Sequence, residues 1–123
     1  MEKPVRLRLA ISGGDYLGVV IWPTHKQYLA GTAHHYDAGG HPNRVASYRK
    51  GYRHGCFGYC YFSADMIGAG TVAHELAHFM WDLLSRRYKT PVSAKRDEAT
   101  ARLIDRLTSS IWRAYFRRWP EKP

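Results

Sequence analysis

Between Val72 and Leu84, the residues Val72, Ala73, Leu76, Ala77, Phe79, Met80, Leu83 and Leu84 fall on one broad arc at about 100° per residue. Thr71, His74, Glu75, His78 and Asp82 occupy the remainder. That pattern commits the segment to a helix with one face in a core and the other left for solvent or chemistry. Helical spacing begins between Ala64 and Thr71, with Ser63, Asp65 or Gly70 as cap candidates, and runs to about Tyr88. Lys89-Thr90-Pro91 ends that helix and can start another, with Thr90 or Ser93 as cap and Pro91 tolerated at the first helical position. The second helix runs to about Arg118. Leu103, Ile104, Leu107, Ile111 and Ala114 form its apolar centre, Ala101, Thr108 and Trp112 extend it, and Glu98 and Asp105 fall where that arc meets the arginines.

The N-terminal half has a different period. Val5, Leu7, Leu9 and Ile11 alternate with Arg6, Arg8 and Ala10, as in a half-buried strand, and Ser12-Gly13-Gly14-Asp15 supplies a turn before the apolar run Tyr16 to Trp22. A hairpin follows. Pro23 to Gly55 is the least legible third: a short helix fits around His25 to His35, 37–43 is a loop, and Arg44 to His54 is basic with interleaved tyrosines. Cys56 to Phe62 reads as a third strand, with glycines at 55 and 58 suited to close approach by another backbone or a ligand. The chain has 123 residues, 45% hydrophobic and 24% charged, which fits one domain over 1–119 with 120–123 as a frayed tail. The expected fold is α+β, a short mixed or antiparallel sheet packed on the two main helices.

His74-Glu75-Leu76-Ala77-His78 is an H-E-x-x-H pentad, expected by chance in such a chain roughly once in a hundred. Residues four apart on a helix lie about 6 Å apart along the axis and about 40° around it, so both imidazoles can reach one zinc ion. Glu75 projects about 100° from His74, beside the ion, where its carboxylate can take a proton from water as a general base. A catalytic zinc needs a third protein ligand, and Glu98 on the following helix is placed to provide it. A plainer arrangement uses the same residues as a surface face, with His74, His78 and Asp82 paired at i, i+4 and Glu98 paired with Arg102.

These residues resemble the zincin metallopeptidases, in particular the gluzincins, in which a Glu on a later helix completes H-E-x-x-H. The likeness covers Thr71 to about Leu107. Asp97-Glu98-Ala99-Thr100-Ala101-Arg102-Leu103-Ile104 looks like the second ligand helix of small phage and bacterial peptidases of the ImmA/IrrE and minigluzincin type. The resemblance implies zinc held by His74, His78 and Glu98, Glu75 as catalytic base, a peptide substrate, and a zincin-like domain in which Cys56 to Phe62 is the sheet-edge strand that binds the substrate in extended form. Gluzincins commonly add an oxyanion-stabilising Tyr or His and an acid orienting a ligand His. Tyr88 and Asp105 are the candidates here, against a helix-end tyrosine and an intrahelical partner for Arg102.

Nineteen Lys and Arg against ten Asp and Glu give a net charge of +9, which favours an acidic protein substrate or nucleic acid as partner. Arg102, Arg106, Arg113 and Arg117 form a stripe on the last helix, and Ser47 to His54 mixes tyrosines with cations; either can be a solvated surface or a nucleic-acid contact. The competing function class is therefore a basic accessory protein of a mobile element, gripping DNA or a host protein with a structural metal or none. His34, His35, His41 and His54 with Cys56 and Cys60 match no structural zinc spacing. The two cysteines, about 13 Å apart on one strand, are too distant to bridge. Arg6 and Arg8 disqualify the start as a secretory signal and no window is apolar enough for a membrane span, so the expected setting is cytoplasmic, without membrane.

Overall fold

The computed structural model describes residues 2–11, 13–35, 44–51, 53–86 and 94–121. Strands β1 (Val5–Ala10) and β2 (Tyr16–Trp22) are followed by helix α1 (His25–Thr32) with a 3-10 turn (Ala33–His35), strands β3 (Ala46–Lys50) and β4 (Cys56–Ser63), and helices α2 (Ala69–Arg86) and α3 (Ala94–Arg118). The fold is α+β with one four-stranded mixed sheet, ordered β1-β2-β4-β3.

β1 and β2 form the expected antiparallel hairpin, Arg8 opposite Gly18, turning through Gly13 and Gly14 at φ 61° and 84°, a backbone that residues with a Cβ rarely adopt. β4 runs parallel to β2 and antiparallel to β3. This corrects the expectation that Cys56 to Phe62 is a sheet edge: β4 is interior, and the edges are β1 and β3. Gly58 makes room for a side chain rather than a backbone or ligand, since a Cβ there would overlap the Tyr48 ring. Cys56 and Cys60 share β4 as free, buried thiols.

Alternation along the strands sends Leu17, Val19, Ile21, Cys60 and Phe62 to one side, where they meet Val72, Leu76, Phe79 and Leu83 of α2 and Leu107, Ile111 and Tyr115 of α3 in one core. Each fully buried aliphatic residue there contributes about 1.5–3 kcal/mol. α1 lies on the opposite side. Its Tyr28 is fully buried, edge-on to Trp22, and donates to Ser47 Oγ at 3.1 Å. α2 starts at Ala69 rather than at one of the expected caps: Gly68 N–H donates to Thr71 Oγ1 and its carbonyl accepts from Val72 N–H.

α2 is locked in roll by Asp82. Sequence spacing puts this residue on the polar face, yet its carboxylate is buried and accepts from Tyr48 Oη of β3 at 2.6 Å and from Arg86 Nε and Nη2 at 2.7 Å each. Arg86 also donates to the carbonyl of Phe57 at 2.7 Å and sits 4.0 Å from its ring centroid. Burial and the Asp82 hydrogen bond push the Tyr48 hydroxyl far above its ordinary range, so it stays a donor. Asp82→Ala strands a buried hydroxyl and a partly buried guanidinium, and urea unfolding should show a loss of about 2–3 kcal/mol.

Candidate metal centre

The two histidines and the glutamate stand on consecutive turns of α2 because an apolar arc and the Asp82 clamp fix which way the helix faces. His74 and His78 are exposed, with Nε2 atoms 3.2 Å apart and rings at 78° to each other. Glu75, one helical step toward the sheet, is buried, and its Oε2 lies 4.0 Å from His74 Nε2. Ligand atoms of the three residues all lie within 4.8 Å of one another, and this is the one such group among the described residues. His34, His35, His54, Cys56 and Cys60 form no second cluster, while His41 lies outside the described residues.

Two zinc-bound nitrogens at 2.0–2.1 Å in tetrahedral geometry stand about 3.3–3.4 Å apart, so the observed 3.2 Å suits chelation with little ring movement. The same separation lets one neutral ring donate to the other, so protonation of both rings opposes the close approach. A pair of imidazoles with an adjacent carboxylate is a donor set for a divalent transition metal, zinc included. Burial pushes the Glu75 carboxyl above its usual range, and the two histidines partly offset that rise. A carboxylate held this way is a stronger base than one in water.

Glu98 is not brought into the group. It lies near the start of α3 with its side chain 64% exposed and accepts from Arg102 Nε at 3.0 Å, the intrahelical pairing that the plainer sequence reading allowed. The helical wheel sets it at the core's edge; the structure turns it to solvent. Asp105 is likewise exposed and outside the cluster, Asp82 is committed inward, and Tyr88 falls outside the described residues.

Sequence reasoning passed over Trp81. It is 75% exposed, the most exposed large apolar side chain of the described residues, and lies seven residues after His74, on the same face of α2. That spacing was the signal that could have found it. Beside the histidines an apolar groove of about 210 Å³ runs between α2 and α3, lined by Ala73, Ala77, Met80, Ile104, Thr108 and Trp112. Compared with protein-family models, curated proteins and solved structures, the chain matches none.

Titrated with zinc and dialysed, the protein is expected to retain one equivalent by elemental analysis, and His74→Ala or His78→Ala to retain none. Full retention by either variant removes that histidine as a ligand.

Proposed function

We propose that the protein is a small zinc-dependent peptidase of gluzincin type, with His74 and His78 holding the metal and Glu75 as general base. The observation that carries this reading is the chelating separation of the two imidazoles beside a buried carboxylate. A divalent cation held there supplies Lewis-acid polarisation of a carbonyl and a water nucleophile near neutral pH. Glu75 Oε2 takes the proton from the attacking water and returns it to the leaving amine, and its desolvation keeps its proton affinity high enough for both transfers. Glu98 is the third ligand in this scheme. Binding there would require Glu98 to leave Arg102 and turn from solvent toward the histidines, outside whose group it lies.

Trp81 and the apolar groove flank the histidines and provide the surface on which substrate side chains lie. Among the described residues nothing buries this indole, whereas contact with a partner would. The exposed histidine face leaves a peptide free to approach.

The test is cleavage of a fluorogenic peptide library by zinc-loaded protein, with and without chelator. Glu75→Gln should retain zinc and lose about 10²-fold or more in kcat. Trp81→Ala should raise KM several-fold with kcat and zinc content unchanged. Glu98→Ala should weaken zinc retention. A zinc-loaded wild type that cleaves nothing, or a Glu75→Gln variant as active as wild type, overturns the hydrolase reading in favour of a binding protein.

A further inference from the structure

The side of the sheet away from α2 and α3 carries a pattern of its own. Arg8, Gly18, Tyr59 and Arg49 stand in direct register across all four strands, and the next row is Arg6, Val20, Tyr61 and Ser47. Gly18 lets the Tyr59 ring lie over β2, because a Cβ at that position would overlap the ring. Tyr59 and Tyr61 are stacked, centroids 5.7 Å apart and planes 16° from parallel, and Trp22 continues the row 5.7 Å from Tyr61. The Arg8 guanidinium sits 5.0 Å from the Tyr16 centroid. α1 covers the Trp22 end of this face through Tyr28.

Arg6, Arg8 and Arg49 are exposed, and among the described residues none has an ion-pair partner. Burial lowers His35, beside Tyr61, to about 4, and the charges of Arg49, His34 and Arg44 add to that fall. Cations gathered without counter-charge repel one another, and a polyanion relieves that repulsion. Arg8 and Arg49, three strand spacings apart, stand about 14 Å from each other, with the flattened aromatic between them. An acidic peptide could use the cations but not the stacked rings. A duplex could use the cations but keeps its base faces covered. Unpaired bases on a charged backbone match both features.

We propose that the part of this sheet face left open by α1 binds single-stranded nucleic acid, bases stacking on Tyr59 and Tyr61 and phosphates held by Arg8, Arg49 and Arg6. Of the basic segments singled out in the sequence, the site takes only Arg49. Of the 47–54 segment, Tyr48 turns inward to Asp82 and Arg49 outward, and the arginine stripe of α3 lies on another surface. It is also separate from the metal centre, which stands on the helix at the sheet's other side.

The test is fluorescence anisotropy of the full chain with labelled dT15 and rU15, an equal-length duplex, and polyglutamate as competitor. Saturable binding to either single strand is expected, about tenfold or more tighter than to the duplex and little affected by polyglutamate. Comparing the two strands shows which sugar is preferred. Tyr59→Ala with Tyr61→Ala should weaken binding about tenfold or more, while Tyr59→Phe with Tyr61→Phe should retain it. Arg8→Glu with Arg49→Glu, both at exposed positions that do not threaten the fold, should weaken it and lower the salt slope by about 1.4. Arg106→Glu with Arg113→Glu on α3, and Glu75→Gln, should leave it within about twofold. Absence of single-strand binding, equal affinity for duplex, displacement by polyglutamate, or loss through the α3 pair instead of the sheet residues overturns the proposal.

Discussion

The roll of α2 about its own axis decides everything that its polar face can do. A helix held only by an apolar arc can roll through tens of degrees while keeping most of its contacts, because hydrophobic burial is non-directional. Asp82 removes that freedom. Its carboxylate is fixed from the sheet side by Tyr48 and along the helix by Arg86, and Arg86 is in turn bonded to the Phe57 carbonyl of β4. One turn earlier and about 40° round the helix from Asp82 lies His78, with His74 about 40° further on, and both are exposed.

The same geometry separates the solvation of neighbouring residues. Glu75 is one step from His74 in sequence and about 100° away in direction, enough to carry it from the exposed face to the margin of the sheet. The imidazoles thus keep an open approach while the carboxylate is desolvated, and the raised proton affinity of Glu75 comes from the burial that the helical period gives it. Among the described residues the two rings contact each other and Glu75 but have no further hydrogen-bond partner, so their orientation rests on that mutual contact and on the backbone.

Local periodicity made the hairpin, the third strand and both long helices legible, because each buries one face whose spacing shows in the sequence. Strand order was not legible. The parallel pairing of β2 with β4 depends on a connection through α1 and β3, and β3 hides in a basic, tyrosine-containing stretch whose Tyr48 and Arg49 face opposite sides. Gly58 reads as room for another backbone or a ligand, and only the folded sheet shows that it and Gly18 each receive a tyrosine ring from the strand beside them. The His-Glu-x-x-His group came out as spacing requires, since all three residues belong to one helix. Glu98 depends on how two helices approach, and the wheel of α3 alone could not tell the edge of an apolar arc from solvent.

β3 is where the two sides of the molecule meet. Its Tyr48 reaches under the sheet to the clamp that orients α2, and the next residue, Arg49, stands on the open face in line with Tyr59 and Arg8. Sheet and helix layers pack about 10 Å apart, close to the Debye length at 0.1 M salt, so charge on one side is largely screened from solvent-exposed groups on the other. Influence between the sides must then pass through packing. β3 is an edge strand whose backbone ladder pairs with β4 alone among the described strands, and a shift in it would move Tyr48 against Asp82 and so the roll of α2. The histidine pair is therefore sensitive to the seating of one short strand, and insensitive to charge placed elsewhere on the sheet.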